Sequence, residues 1–143
     1  MNLIFEGNIG AGKTTLLNLV EKQLKFQLKD DIEVYPEPIS FWEKTPDGNL
    51  FNLFGSNPSK YSFVLQTLIM STMLKQRQSA NVRTVNLFER SLDSAKFIFQ
   101  KLLEIEGYLS NTDTYALNIL YDALKPNMPK IDGIVYLKVL ILY

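Results

Sequence analysis

The chain contains neither cysteine nor histidine. The first absence excludes disulfides, zinc thiolates and thiol nucleophiles. The second means that any general base must be a carboxylate, a lysine or a tyrosine. An excess of charge of one sign is also missing. Fifteen basic and fifteen acidic side chains cancel, which removes the usual electrostatic argument for a nucleic-acid partner. No apolar run reaches the ~20 residues of a membrane-spanning helix, so no membrane partner is expected. The first residues read directly as a strand, without the pattern of a signal peptide or transit segment, and the expected compartment is the cytoplasm. What is present is ordinary for a globular chain: 143 residues, 46% hydrophobic and 21% charged, the length of a single domain over residues 1–143.

One stretch is specific. Gly7-Asn8-Ile9-Gly10-Ala11-Gly12-Lys13-Thr14 matches G-x-x-x-x-G-K-[ST] in full. It follows the apolar run Leu3-Ile4-Phe5 and precedes Thr15-Leu16-Leu17-Asn18-Leu19-Val20, which reads as helix. That strand–loop–helix context is what the motif requires. Gly10 and Gly12 allow a tight turn in which consecutive N–H groups point at one anion, and the helix N-terminus adds its dipole. Lys13 supplies a point charge for the outer phosphates, and the Thr14 hydroxyl can ligate Mg²⁺. The stretch is therefore read as a nucleoside-triphosphate site.

Asn2 to Glu6 reads as a buried strand. A helix is expected from Thr14 to about Leu28, with an apolar stripe at Leu16, Leu17, Val20 and Leu24 and a solvated face at Lys22, Lys25 and Lys29. After a turn at Lys29-Asp30-Asp31, Ile32 to Tyr35 reads as the second strand, so the two pair in parallel with a right-handed crossover. Pro36 and Pro38 then fix the backbone around Glu37. Strand carboxyl ends face the ligand in such a sheet, which brings Glu37 to the edge that carries the phosphate loop.

From Ile39 to Asn57 the pattern suggests a short helix, a turn at Pro46-Asp47-Gly48 and another short helix. A long, largely buried helix follows from about Tyr61 to Ser79, its apolar set (Phe63, Val64, Leu65, Leu68, Ile69, Met73) interrupted by Gln66 and Thr67. A buried amide must be hydrogen-bonded; protein partners and a ligand base edge are equally open for Gln66 on this evidence. Val82 to Phe88 reads as the third strand, delivering Glu89-Arg90-Ser91 to the ligand edge: Arg for anionic oxygens, Glu for a metal or its waters. Leu92 to Glu106 is expected to be helical, with Ala95, Phe99 and Leu102 on one side. Asn111-Thr112-Asp113 is expected to cap a helix from Thr114 to about Leu124, and Ile134 to Leu137 is the last strand. The fold class is α/β: a P-loop-type parallel sheet of about four strands, order 2-3-1-4, with helices on both faces.

Taken in order, Phe5-Glu6-Gly7-Asn8-Ile9-Gly10-Ala11-Gly12-Lys13-Thr14-Thr15, Pro36-Glu37-Pro38 with Trp42 beyond it, Gln66, and Glu89-Arg90-Ser91 followed by Ser94-Ala95 resemble the cellular and viral deoxynucleoside kinase family, of the thymidine-kinase-2 and insect deoxynucleoside kinase type. The resemblance runs from residue 2 to about 138. It implies transfer of the γ-phosphoryl of ATP, with Mg²⁺, to the 5′-hydroxyl of a deoxynucleoside. By position, Gly7 to Thr15 would hold ATP and Lys13 would act on its phosphates. Glu37 resembles the general base, Arg90 the arginine that orients the hydroxyl and offsets developing charge, and Glu89 the acid that, with Thr14, helps hold Mg²⁺. Gln66 resembles the amide that pairs with the base edge, and Trp42, Leu65, Ile69 and Phe99 the residues around the base. Relatives preferring deoxycytidine or purines carry Arg and Asp where Met73 and Ala95 stand. The apolar pair implies that thymidine and deoxycytidine are both accepted and purines poorly.

The chain departs from the family pattern at Gly55, where a tyrosine that binds the sugar 3′-hydroxyl is usual, and at Lys96, usually arginine. After Leu137-Lys138 the family continues into an Arg-rich lid, whereas here Val139-Leu140-Ile141-Leu142-Tyr143 follows and no arginine comes after Arg90. Residues 133–143 carry a single charge, Lys138, the composition of a parallel strand buried on both faces. The expectation is a truncated kinase with weak turnover whose last strand exposes an apolar edge and promotes dimerisation. The alternatives are a thymidylate-type monophosphate kinase, which usually has an acidic residue in its phosphate loop and Asp-Arg-Tyr at the third strand, and a non-catalytic ATP-binding remnant.

Overall fold

The computed structural model describes residues 1–28 and 31–139. The turn expected at Lys29-Asp30 and residues 140–143 of the last apolar run lie outside the described residues. The chain gathers into two compact units. One comprises residues 1–37, 79–91 and the segment from 129 on; the other comprises 38–78 and 92–128.

The first unit is the sheet. Strands β1 (Asn2–Gly7), β2 (Ile32–Tyr35), β3 (Val85–Glu89) and β4 (Gly133–Leu137) are all parallel, in the expected order β2-β3-β1-β4. Successive side chains of a strand point to opposite faces. Leu3 and Phe5 of β1, with Val34, Val85, Leu87 and Leu137, therefore share a face, packed against Leu16, Leu17 and Val20 of helix α1 (Lys13–Leu28). The opposite parity is buried too: Ile4 and Phe88 are fully covered, and Tyr35 stacks on Phe88 with ring centroids 4.8 Å apart. Each such side chain contributes about 1.5–3 kcal/mol by its burial. The register aligns the strand ends, pairing Phe5 with Glu89 and Gly7 with Leu137.

One strand expectation needs correction. β3 starts at Val85 rather than Val82, because Asn81 organises a turn: its side chain accepts the Arg83 N–H at 2.9 Å, and its carbonyl accepts from Asn86 at 2.8 Å. Val82 stands in solvent. β4 forms where expected and, although its composition is that of a strand buried on both faces, leaves apolar side chains uncovered, as the edge expectation has it, with Ile134 65% and Tyr136 62% exposed. It ends the sheet, and among the described residues β1 is its one strand neighbour.

The second unit is helical. Helices α2 (Ser40–Glu43) and α3 (Leu50–Ser56) flank a turn closed between Thr45 and Gly48, as read from the sequence. Helix α4 (Pro58–Gln78) is less apolar on its buried side than expected. Leu65, Met70 and Met73 are buried, but so are Ser62, Gln66, Thr72 and Arg77, while Val64 is 49% exposed. Ser62 and Thr72 can be buried because their hydroxyls return to the carbonyls of Pro58 and Leu68, one turn back. Phe63, Val64 and Leu68 instead line a groove of about 530 Å³ with Leu50 and Leu53.

The helix expected over residues 92–106 is interrupted. Helix α5 (Leu92–Ser94) passes into a π-helical segment, Ala95–Gln100, before α6 (Lys101–Ile105). The wider turn changes the phase, so Ala95 is buried while Leu102 is half exposed rather than beside it. Helix α7 (Asn111–Leu124) begins a turn earlier than expected. Its cap is Ser110, in a capping box with Asp113, rather than Asn111-Thr112-Asp113. The core of this unit is Met70, Met73, Leu92, Ala95 and Tyr121, with Ile69, Leu120, Leu124 and Met128 against it. Among the described residues no helix is long and apolar enough to cross a membrane.

Candidate active site

The site in the sheet unit is built on the loop between β1 and α1. Gly7, with φ 149, ends β1; a Cβ there would lie 2.6 Å from the Leu137 carbonyl oxygen. Gly10 and Gly12 have φ 76 and 85, and a Cβ on either would meet nothing within 4 Å. Their positive φ is a conformation that L side chains avoid, and the space beside them is open. The helix takes over when Leu16 N–H donates to the Gly12 carbonyl at 2.8 Å. The first turn of α1 holds no acidic residue to compensate its positive end. Asn8 and Ile9 are exposed, Ala11 is half-buried, and Thr15 is exposed beside Thr14.

The charged groups converge on this loop. Lys13 is buried, and its ammonium donates to the carbonyls of Gly7 at 3.1 Å and Asn8 at 2.8 Å. Burial, reinforced by the nearby Arg90 charge, lowers the Lys13 pKa. The Thr14 hydroxyl donates to Glu89 Oε1 at 2.7 Å. Arg90 Nε pairs with Glu37 Oε1 at 2.9 Å, and its Nη1 donates to the Gly7 carbonyl at 3.2 Å. Burial raises the Glu37 pKa, while the Arg90 cation opposes that shift. Among the described residues Arg90 is the one non-glycine residue with positive φ, 64. Lys13, Thr14, Glu37, Glu89 and Arg90 are thus brought together, as the strand-end argument requires.

These residues fit a triphosphate with Mg²⁺. The glycine side of the loop is open, a buried ammonium lies along it, and a hydroxyl sits beside a carboxylate. Among the described residues no group of three or more acidic side chains could hold a metal by itself. An ion held by Thr14 and Glu89 would take the rest of its shell from phosphate oxygens and water, the usual habit of Mg²⁺.

The residues read as surrounding a base all lie in the helical unit. The Trp42 indole N–H is satisfied by the Thr72 hydroxyl at 2.9 Å, and its ring meets Phe51 edge-on. Gln66 is 1% exposed; its Nε2 donates to the Ala95 carbonyl at 3.1 Å, while its Oε1 has no partner. One atom of this amide therefore serves the protein, and one buried acceptor is free. Met73, Ala95 and Ile69 join one apolar cluster. Leu65 is buried and Phe99 half-buried. A Cβ on Gly55 would meet nothing within 4 Å.

One contact was not anticipated. Ser91 Oγ donates to Glu6 Oε1 at 2.5 Å. The available signal was an acidic residue inside the otherwise apolar β1, directly before the loop.

A family model described as deoxynucleoside kinase matches residues 3–141. Over 93% of this chain, mitochondrial thymidine kinase 2 of Homo sapiens is 36% identical, with 48% of its own length covered. Deoxycytidine kinase of Homo sapiens is 30% identical over the same share of the chain and 59% of its length. A probable deoxycytidine kinase of fowlpox virus is 33% identical, with 54% covered. The chain thus spans about half the length of the relatives it matches. With four ordered motifs, the sheet order they anchor and a family match over nearly every residue, the chain belongs to the deoxynucleoside kinase family.

Proposed function

We propose that residues 1–143 act as one kinase domain that transfers the γ-phosphoryl of ATP to the 5′-hydroxyl of a pyrimidine deoxynucleoside. The observation that carries this reading is the Glu37–Arg90 pair, 2.9 Å apart, in the same unit as the phosphate loop and the Thr14–Glu89 contact. Glu37 takes the proton of the 5′-hydroxyl as that oxygen bonds to the γ-phosphorus. The bond to the β–γ bridging oxygen breaks and ADP leaves. Arg90 holds Glu37 in place and offsets charge on the transferring group, and Lys13 turns from the loop carbonyls to the phosphates. Thr14 and Glu89 would hold Mg²⁺, which when bound neutralises phosphate oxygens. For residues 1–143 on their own turnover should be weak, because a further arginine at the phosphates can be worth ~10³–10⁵ in rate.

Pyrimidine preference rests on the apolar pair Met73 and Ala95, to which Gln66 adds a polar partner that by itself does not tell a pyrimidine from a purine. The free buried Oε1 of Gln66 suits a ring N–H or exocyclic amine, and the apolar Met73 and Ala95 suit a methyl group. An unmet buried polar group discriminates strongly, whereas a methyl in an apolar pocket is worth ~1–3 kcal/mol. A coupled assay with ATP, Mg²⁺, the four deoxynucleosides and thymidylate tests both points. Thymidine and deoxycytidine should be accepted and purines poorly, with Gln66→Leu losing at least tenfold in kcat/KM for both pyrimidines. Deoxyguanosine as best substrate would overturn the base assignment. Preference for thymidylate would indicate a monophosphate kinase, and ATP binding without turnover on any acceptor a non-catalytic protein.

Copies are also proposed to associate through β4, whose apolar side chains Ile134 and Tyr136 are exposed at the sheet's end. Charge on an edge strand opposes pairing. Sedimentation velocity should show concentration-dependent association that Tyr136→Lys weakens; a monomer at all concentrations would reject it.

A further inference from the structure

Arg90 carries its guanidinium on a left-handed backbone, φ 64. Such a residue is strained and persists only where its surroundings over-determine it. Three consecutive residues of β1 supply those surroundings. The Phe5 carbonyl accepts the Arg90 N–H at 2.9 Å. The Gly7 carbonyl accepts Nη1 at 3.2 Å. Between them, the Glu6 carboxylate accepts the Ser91 hydroxyl at 2.5 Å. Ser91 is itself buried, 7% exposed. A carboxylate in a strand is costly to cover without a partner, and Glu6 is here bonded to the residue that follows the strained one.

We propose that Glu6 and Ser91 are positioning residues: their hydrogen bond pins the backbone just after Arg90 and so fixes the turn that aims the guanidinium at Glu37. Neither is assigned to the reacting atoms. The kinetic consequence rests on the kinase reading, but the aiming of Arg90 is a property of the free protein and can be measured without turnover.

The chain has three arginines, Arg77, Arg83 and Arg90, so its side-chain Nε–H spectrum is simple. The Arg90 signal, assigned by its disappearance in Arg90→Lys, should be slow to exchange because Nε is paired with Glu37. Ser91→Ala and Glu6→Ala should move it toward a freely exchanging arginine while the backbone amide spectrum stays folded. Ser91→Thr keeps a hydroxyl and Glu6→Gln keeps an acceptor oxygen, and both should retain the signal. In turnover, Ser91→Ala should lower kcat by about 10–100-fold with the KM for ATP little changed, since a misplacement near 1 Å can cost ~10²-fold. Ser91→Thr should recover most of it. An unaltered Arg90 signal in either folded alanine variant would overturn the proposal. So would loss of that signal in a folded Ser91→Thr or Glu6→Gln protein, a test that stands even if the alanine variants fail to fold. A wild-type chain without turnover but with a paired Arg90 Nε–H would count against the kinase reading alone.

Discussion

Replacing Glu37 by glutamine should lower kcat by about 10²–10⁴-fold while ATP still binds, the usual scale for loss of a general base. The chain has no histidine to take over, and Glu37 is the carboxylate that Arg90 holds at 2.9 Å. Glutamine keeps the size and one oxygen for Arg90 but cannot accept a proton. The pH profile separates this from a packing defect. Burial raises the Glu37 pKa, with Arg90 opposing it, so the wild-type acid limb should lie above that of an exposed glutamate. The residual activity of Glu37→Gln should lack that limb. Turnover near the wild-type rate would remove Glu37 from the mechanism.

The second large effect is expected at Arg90. Arg90→Ala removes both the contact to Glu37 and the one to the Gly7 carbonyl, together with the cation proposed to lie beside the transferring group. A loss of about 10³-fold or more in kcat/KM is expected, in the range of arginines that act on phosphoryl groups. Its sign on the base is also fixed. The Arg90 charge favours ionised Glu37, so without it the Glu37 pKa rises further and the acid limb moves to higher pH. Arg90→Lys should recover little, because an ammonium is a point charge and cannot make both contacts from one planar fork. An acid limb unchanged in Arg90→Ala, measured from pH 5 to 9, would mean that the pair is not coupled in the working enzyme.

The sheet and the gathering of charged residues at its edge were legible for a common reason. The phosphate loop fixes one strand before it and one helix after it. Once β1 is placed, the strand ends at Glu37 and Glu89-Arg90 can only come to the same edge. The helical unit was less legible because its determinants are tertiary. Helix α4 buries Ser62 and Thr72 through bonds to its own carbonyls, which no apolar count anticipates. The π-helical segment 95–100 leaves no mark in an i, i+4 pattern, and Leu102 was misplaced with it. The start of β3 was set by Asn81, a residue outside the apolar run. Ser91 was visible as a letter in a motif, but its bond to Glu6 links residues 85 positions apart.

Gly7 changes how substitutions in the phosphate loop should be interpreted. The first glycine of such a motif is readily credited to phosphate binding, yet a methyl group here would press on the Leu137 carbonyl of β4. Gly10 and Gly12 face open space, so a side chain there would meet only the strain of a positive φ; at Gly7 it would also meet the neighbouring strand. A scan that scored only nucleotide affinity would group the three glycines together, although damage at Gly7 would start as a displaced strand and reach the nucleotide second-hand.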